Sequence, residues 1–206
     1  MNLAVHASSS SVEHYTPAHI VDLAIACLGA IDLDPCSNAH GDAANVPAQT
    51  HFTREDDGLA RPWHGRVFLN PPYGRTLGPW IDKLVAEHRA YRVPAAVALV
   101  PGRPDTQWIR PLAPYLRCEI VGRLTFLGND DPAPFPSFVY YLGPHRDAFI
   151  EAFGALGDIF VAVHTSARAS RPCPLFDLPG ATSASGVLTG RRRRHTKELP
   201  SHGSSF

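Results

Sequence analysis

The chain has 206 residues, of which 44% are hydrophobic, and its formal net charge is zero. A chain of this size can bury one sizeable core, so we expect one folded domain. It has no apolar run near the roughly 20 residues that a membrane span requires, and residues 1–11 lack the basic and apolar regions of a secretion signal. Eleven histidines and four cysteines form no HxxxH, CxxC or Cys/His cluster. We therefore expect reduced thiols in a cytoplasmic protein and no bound metal.

The zero net charge hides an uneven distribution along the chain. Residues 1–164 carry 12 basic and 17 acidic side chains, a balance of −5, whereas residues 165–206 carry 7 and 2, a balance of +5. Hydrophobic periodicity also ends near residue 165, where Ser, Pro, Gly and Arg dominate. The composition predicts a flexible N-terminus over residues 1–12, a folded domain over 13–164 and a disordered basic tail over 165–206.

The first predicted helix has Thr16 as its capping residue and Pro17 at its first position. Apolar residues then recur on one face until Gly29, which is a natural helix stop. A short strand over residues 30–33 follows and runs into Asp34. The first strand therefore ends in a carboxylate.

Few residues separate this strand from the next apolar run, residues 66–69. One βαβ unit takes about 30 or more residues, so the strands of a nucleotide-binding sheet must be short here. Residues 40–60 look irregular and include an acidic turn. Asp56 or Asp57 in this turn could hold ribose hydroxyls, as acidic groups do in nucleotide folds, or could simply be solvated.

The rest of the domain reads as alternating helices and strands. An unalternating apolar run over residues 94–100 predicts a strand covered on both faces. The other predicted elements are a helix over 78–90, strands over 118–121, 124–127 and 137–142, a helix after Gly143-Pro144 with Phe149, Ile150 and Phe153 facing inward, and a last strand over 159–163. The order predicts an α/β fold with helices on both faces of the sheet and an antiparallel end.

The most informative stretch is Asn70-Pro71-Pro72-Tyr73, which follows the apolar run 66–69. Two successive prolines cannot extend a strand, because neither has an N–H group for the ladder. An amide side chain, two carbonyls and an aromatic ring are therefore held at a strand's C-terminal end. Open α/β sheets bind their ligands at that end.

These groups suit an amine that is conjugated to an aromatic ring. Such an amine is a poor nucleophile because its lone pair is delocalised. Asn70 Oδ1 and the Pro71 carbonyl could accept its hydrogens and draw the nitrogen towards a tetrahedral shape. Tyr73 offers a flat face for a flipped base, and such stacking is worth about 1–3 kcal/mol. The alternative is that Pro-Pro-Tyr-Gly only makes a turn.

The chain resembles the phage-type DNA N-6-adenine methyltransferase family, whose members use S-adenosyl-L-methionine (AdoMet). The similar segments lie between residues 13 and 143. In chain order they are Tyr15-Thr16-Pro17, Asp32-Leu33-Asp34-Pro35-Cys36-Ser37, Asp56-Asp57-Gly58-Leu59 with Trp63, Asn70-Pro71-Pro72-Tyr73-Gly74, Trp80, Leu99-Val100-Pro101-Gly102-Arg103, Asp105-Thr106-Gln107-Trp108, Gly122-Arg123-Leu124 with Phe126, and Pro134-Phe135-Pro136-Ser137.

The resemblance implies a compact Rossmann-like class I methyltransferase sheet with shortened second and third strands. It further implies AdoMet as cofactor, DNA as partner, and a site-specific enzyme that methylates adenine in the cytoplasm of a bacterial or phage-infected host cell. The implied catalytic residues are Asn70, Pro71, Pro72 and Tyr73. The implied cofactor residues are Tyr15, Thr16, Pro17, Asp32, Asp34, Pro35 and Cys36, to which the acidic turn adds Asp57.

The loop after Asp34 departs from the broad methyltransferase pattern, because no Gly-x-Gly follows and Gly41 stands alone. A carboxylate at this strand end suits the ammonium group of AdoMet, although an Asx-type turn would also explain it.

Contacts to DNA are predicted in three places. Arg103, at the end of a strand, could meet a phosphate or merely bond loop carbonyls. Phe135 lies in the long loop 128–136, which could also be a plain hairpin connection. The tail carries a block of Arg191, Arg192, Arg193 and Arg194, each able to contact a phosphate, although charge runs are often just solvated.

Other acceptors remain open at this stage. Asn-Pro-Pro-Tyr equally suits cytosine N-4 in DNA, adenine in RNA or a protein glutamine. A DNA-binding protein that has kept the fold without catalysis is the rival from a different class. The sequence does not indicate an oligomeric state.

Overall fold

A computed structural model describes residues 15–163 of the chain. The predicted flexible N-terminus and basic tail, with the arginine block Arg191–Arg194, lie outside the described residues. Within the described range, no helix is long and apolar enough to span a membrane.

The described range contains three α-helices and seven β-strands. They are α1 (Ala18–Leu28), β1 (Ile31–Asp34), β2 (Ala48–His51), β3 (Val67–Leu69), α2 (Leu77–Arg89), β4 (Ala96–Pro101), β5 (Leu116–Ile120), β6 (Ser137–Leu142), α3 (Arg146–Phe153) and β7 (Gly157–Phe160), with single 3₁₀ turns at Gly41–Ala43 and Arg110–Leu112.

The seven strands form one mixed sheet in the order β2-β1-β3-β4-β6-β5-β7. Strands β2, β1, β3 and β4 are parallel. Strand β6 runs antiparallel to both β4 and β5, and β7 runs antiparallel to β5. This arrangement confirms the predicted α/β class, Rossmann-like with an antiparallel end. Strands β2 and β3 are short, with four and three residues, as the close spacing of the first strand and the proline motif requires.

The centre of the sheet is covered on both faces. All six residues of β4 and all six of β6 are buried, which explains why neither strand alternates between polar and apolar residues. Helices α1 and α3 pack against each other, and α2 packs with the turn Arg110–Leu112. Because β1, β3 and β4 are parallel neighbours, their carboxyl ends lie at the same edge of the sheet.

Two predictions near the N-terminus are wrong. The first helix begins at Ala18 with Pro17 as its N-cap, and no side chain of the described residues caps it. The Thr16 hydroxyl instead contacts Asn70. Residues 40–60 are not wholly irregular, because Ala48–His51 forms β2 along the edge of β1. Polar Gln49 and Thr50 hide this strand in the sequence, since an edge strand exposes side chains that a central strand would bury.

Three predictions near the C-terminus also need correction. Residues 124–127 form no strand. Leu127 makes an isolated bridge outside the sheet, in which its N–H donates to the Tyr15 carbonyl at 2.9 Å. Ile150 is 42% exposed and does not face inward with Phe149 and Phe153. The last strand ends at Phe160, so Val163 lies beyond it and is exposed.

Candidate active site

A cavity of about 470 Å³ opens at the carboxyl ends of β1 and β3. Asp34 is the last residue of β1, and Asn70 directly follows β3. Because β1 and β3 are neighbours in the sheet, both side chains line the same cavity. Its lining is formed by Tyr15, Thr16, Asp34, Pro35, Cys36, Ser37, Asn38, Asn45, Val46, Thr53, Arg54, Asp57, Gly58, Phe68, Asn70, Pro71, Pro72, Thr76 and Trp80.

Asp34 is a buried carboxylate in the wall of this cavity, with only 4% of its surface exposed. The Cys36 N–H donates to its Oδ1 at 3.1 Å, so the Asx-type turn is present at the residue that also lines the cavity. Burial raises the pKa of Asp34 to about 6, and this effect is partly offset by the Cys36 N–H, by His51 and by Ser37. A buried carboxylate with a raised pKa, in a cavity, marks a candidate binding group.

The loop after β1 is held by the end of β2. The Phe52 N–H donates to the Asp34 carbonyl, and the Ser37 N–H donates to the Phe52 carbonyl, both at 2.9 Å. The Ser37 hydroxyl adds a bond to the Ala39 carbonyl at 2.7 Å. Pairing with β2 therefore shapes this loop, which has no glycine-rich turn.

The two acidic residues of the following turn have different surroundings. Asp56 Oδ2 accepts bonds from the Thr53 N–H and hydroxyl at 2.8 and 2.9 Å, and His40 Nε2 lies 3.1 Å from it. Asp57 lines the cavity and has a positive φ of 53°, a conformation that is uncommon outside glycine and that Asp tolerates. Of the two acidic residues, Asp57 is therefore the one placed to contact a molecule bound in the cavity.

Two tryptophans hold this turn against the loop after β1. Trp63 Nε1 donates to the Gly58 carbonyl at 2.7 Å, and the Trp63 and Trp80 rings stack with centroids 6.0 Å apart. A Cβ at Gly58 would overlap the carbonyl oxygen of Pro35. Only glycine permits this close approach, which sets the distance between the Asp57 side of the cavity and the Asp34 side.

Replacing Gly58 with alanine is expected to lower the free energy of unfolding by about 1–3 kcal/mol, because the added methyl group must push the two loops apart. It should also weaken binding of the AdoMet that the sequence resemblance implies, since both loops contribute residues to the cavity lining. Thermal denaturation would measure the change in stability, and calorimetry would measure the change in AdoMet affinity. The matched control is Gly78→Ala near the start of α2, where the new Cβ, apart from its chain neighbours and its own helix, meets only the Trp108 Cβ at 3.6 Å, so it should destabilise the protein less than Gly58→Ala does. Equal stability of the two variants would contradict this interpretation.

The Asn-Pro-Pro-Tyr motif lies on the other side of the cavity. Asn70 Nδ2 donates to Thr16 Oγ1 at 2.9 Å, and Pro71 and Pro72 line the cavity beside it. Tyr73 is only 7% exposed, with its ring in edge contact with Phe126 and Phe135 at centroid distances of 5.9 and 5.5 Å. Burial holds the pKa of the Tyr73 phenol well above its usual value, so the ring stays neutral.

The arrangement combines a buried carboxylate, a carboxamide and backbone carbonyls around one cavity at the end of a parallel sheet. The family model for DNA N-6-adenine-methyltransferase (Dam) matches residues 8–133, which is more than half of the chain. The chain belongs to this family. No curated protein sequence gives a significant match. Membership of the Dam family supports DNA adenine N-6 methyltransferase activity in general and implies AdoMet as cofactor and DNA as substrate.

The matched range contains every residue that lines the cavity of this Dam-family chain. Of the cofactor residues that the sequence resemblance implies, Tyr15, Thr16, Asp34, Pro35 and Cys36 lie in the lining, and Asp57 joins them. The other two implied cofactor residues, Pro17 and Asp32, are not among the described residues that line the cavity. Burial raises the pKa of the Cys36 thiol well above its usual value, so Cys36 is a neutral part of the wall.

Asp32 is bound to Arg66 instead. The Arg66 guanidinium donates from Nε to Asp32 Oδ2 at 2.8 Å and from Nη2 to Oδ1 at 2.7 Å, and the Arg66 N–H adds a bond to Oδ2 at 2.7 Å. Arg66 Nη1 also donates to the Leu28 carbonyl at the end of α1. This clamp joins β1, the residue before β3 and α1, so Asp32 holds parts of the fold together. The cofactor role that the resemblance implies for Asp32 stays a prediction.

Replacing Asp32 with asparagine is expected to lower the free energy of unfolding by about 1–3 kcal/mol, since a two-pronged bond between charged groups is lost. AdoMet affinity should stay unchanged. Arg66 holds the pKa of Asp32 below its usual value of 3.8, so the stabilisation in the native protein should be full above that value and should be lost as the pH falls through the lowered pKa. Denaturant melts at several pH values, with calorimetry on the folded variant, would test both statements. Weaker AdoMet binding by folded Asp32→Asn would support the cofactor role that the resemblance implies.

The predicted DNA-contacting residues lie apart from the lining. Arg103 is exposed after β4, and its N–H donates to the Pro101 carbonyl at 2.9 Å. Phe135 is half-buried against Tyr73, which brings loop 128–136 next to the Asn-Pro-Pro-Tyr motif. Arg191–Arg194 lie outside the described residues. Within residues 15–163, no three His, Cys, Asp or Glu side chains are grouped so that they could hold a metal ion.

Several lining residues were missed by sequence reasoning. In the sequence, packing in the core is a sufficient reason for a tryptophan at position 80. In the structure, Trp80 also lines the cavity. Others come from turns without a periodic pattern, namely Asn38, Asn45, Val46, Thr53, Arg54 and Thr76. The signal that could have found Trp80 was its presence among the segments that resemble the family.

Proposed function

We propose that this chain transfers a methyl group from AdoMet to the N-6 amine of an adenine that has been flipped out of DNA, at a specific sequence. The observation that carries the proposal is the shared cavity. Asp34 and Asn70, at the ends of neighbouring parallel strands, line it together. One side chain suits a cationic cofactor and the other suits an aromatic amine.

The cavity fits AdoMet in size and in chemistry. Its volume of about 470 Å³ lies within the range of small-molecule sites, about 300–1,000 Å³. Asp34 is a buried anion suited to the ammonium group, and Asp57 is placed in the lining to accept bonds from ribose hydroxyls. When bound, AdoMet supplies the electrophilic methyl group.

Asn70 and the Pro71 carbonyl would act on the amine itself. Two acceptors that hold the amine hydrogens draw the nitrogen lone pair out of the ring system and point it at the methyl group. Neither acceptor has to remove a proton before attack, because the amine becomes acidic only as it is methylated. Alignment and fixed dipoles then supply most of the acceleration.

Tyr73 would stack on the flipped base. Its ring packs against Phe126 and Phe135, so a base that reaches it has to share or replace part of that packing. Phe135 belongs to loop 128–136, our proposed DNA contact, so DNA binding and access to Tyr73 would involve the same loop. We further propose that Arg103 and the tail arginines contact phosphates, because the range 1–164 is net acidic and DNA affinity has to depend on local basic groups.

The deciding experiment incubates the full-length protein with labelled AdoMet and unmethylated DNA, followed by mass spectrometry of the nucleosides. N6-methyladenine is the expected product, and long-read modification mapping should place it in one short sequence. If the product were N4-methylcytosine, or if only RNA were methylated, the target would not be adenine in DNA. Absence of any product together with no calorimetric binding of AdoMet would favour the non-catalytic DNA-binding protein.

A further inference from the structure

We infer that Thr16 is a positioning residue for Asn70, and that the bond between them holds the Asn70 carboxamide with Oδ1 presented to the substrate amine. The inference rests on the proposed function. The two residues lie 54 positions apart in the chain, and Asn70 Nδ2 donates to Thr16 Oγ1 at 2.9 Å. Thr16 is only 2% exposed, and the bond is partly buried at the wall of the cavity.

The orientation matters because the two ends of a carboxamide have opposite hydrogen-bonding character. Oδ1 only accepts hydrogen bonds, and Nδ2 only donates them. A substrate amine needs an acceptor from Asn70, so a carboxamide turned by 180° would offer donor hydrogens to the hydrogens of the amine. With Nδ2 bound to Thr16, Oδ1 lies on the other side of the group.

Thr16 is itself held from both sides in the chain. The Tyr15 carbonyl accepts the Leu127 N–H at 2.9 Å, and the Pro17 carbonyl accepts the Ile20 N–H at 3.0 Å at the start of α1. A β-branched side chain also has a restricted χ1 angle. The hydroxyl therefore occupies a fixed position before any substrate arrives, which is the condition for an effective supporting residue.

This role also accounts for the failed prediction of a helix cap. Thr16 stands one residue too early to cap α1, whose N-cap is Pro17. Its hydroxyl is turned to Asn70 at the end of β3. The start of the first helix thus serves the catalytic motif at a distant point in the sequence.

The kinetic test compares Thr16→Val with Thr16→Ser. Valine keeps the shape and removes the hydroxyl, so kcat for DNA methylation should fall about 10–100-fold, because small errors in placement cost up to about 10²-fold in rate. KM for DNA and calorimetric affinity for AdoMet should each change less than about threefold, on the same reasoning that only alignment is lost. Serine should restore most of kcat. The matched control is Thr50→Val, the same change at an exposed position of β2, which should leave kcat unaltered.

A second measurement does not depend on activity. The side-chain amide signals of Asn70 in a ¹⁵N-labelled sample are assigned by their loss in Asn70→Ala. In the protein without cofactor or DNA, the Asn70 amide signals should shift in Thr16→Val and return in Thr16→Ser. Such a shift would show that the Thr16 hydroxyl binds the Asn70 carboxamide in solution. Because a hydroxyl can accept or donate, the assignment of the bound end to Nδ2 comes from the structure.

The outcomes separate the inference from the proposed function. Wild-type protein that methylates neither DNA nor RNA would overturn the proposed function and the catalytic purpose of Thr16 with it. Active wild-type protein with unchanged kcat in Thr16→Val, or with the same Asn70 amide signals in both proteins, would overturn the Thr16 inference alone. Weaker AdoMet binding with normal kcat would make Thr16 a cofactor contact, which also contradicts the inference.

Discussion

Replacing Asn70 with alanine is expected to reduce methyl transfer by at least about 10²–10³-fold, the usual cost of removing one fixed dipole that acts on the reacting group. Asn70 follows β3 and lines the cavity on the side of the proline motif. Its carboxamide would hold the substrate amine and would have little contact with the part of the cofactor near Asp34. AdoMet affinity, measured by calorimetry, should therefore stay within a few-fold of the wild-type value.

Two further variants make this prediction specific. Asn70→Asp retains an acceptor oxygen at nearly the same position and should keep more activity than Asn70→Ala. Asn38→Ala removes a carboxamide whose Oδ1 accepts the Asn45 N–H at 2.9 Å, in the loop after β1, and should act on AdoMet affinity more than on kcat. If purified Asn70→Ala methylated DNA at a rate comparable with the wild type, the catalytic role assigned to Asn70 would be wrong.

Replacing Asp34 with asparagine is expected to abolish tight AdoMet binding and, at the same time, to stabilise the protein without ligand. The loss of one charged hydrogen-bonding partner costs about 1.5–3 kcal/mol, or about 10–150-fold in affinity. The gain in stability has the opposite cause, because an ionised carboxylate is costly in this buried position. At pH 8 the free energy of unfolding should rise by up to the order of 3 kcal/mol.

The pH dependence follows from the pKa of Asp34, which burial raises to about 6. A raised pKa means that the folded protein binds this proton more tightly than the unfolded chain does. The contribution of Asp34 to stability is therefore full below its ordinary value of 3.8, is lost as the pH rises through about 6, and stays low above it. Affinity for a cationic ligand should run the other way, falling as the pH drops below about 6.

Denaturant melts and calorimetry between pH 4 and pH 8, on the order of one unit apart, would measure both trends. His51 and Cys36 lie close to the carboxylate, so the Asp34→Asn protein serves as the control that retains both. Its stability and its residual AdoMet affinity should lack the step near pH 6. An Asp34→Asn protein that binds AdoMet as tightly as the wild type would remove Asp34 from the cofactor site.

The local pattern of the chain determined the elements that carry the chemistry. The apolar run before Asn70 predicts a buried strand, and the two prolines must end it, because neither can donate to a ladder. The unalternating run in β4 likewise predicts a strand covered on both faces. These properties depend on neighbouring residues only, so they can be read from the sequence.

Tertiary structure decided which of these residues meet. Thr16 looks like a helix cap in the sequence, yet it binds Asn70, which lies 54 positions away. Asp32 is bound by Arg66, 34 positions away, a contact that no local pattern predicts. Tyr73 looks like an open stacking surface, but Phe126 and Phe135 pack against it. Periodicity and turn chemistry describe a few adjacent residues, whereas the partner of a polar side chain depends on which distant segments the packed sheet brings to the same edge.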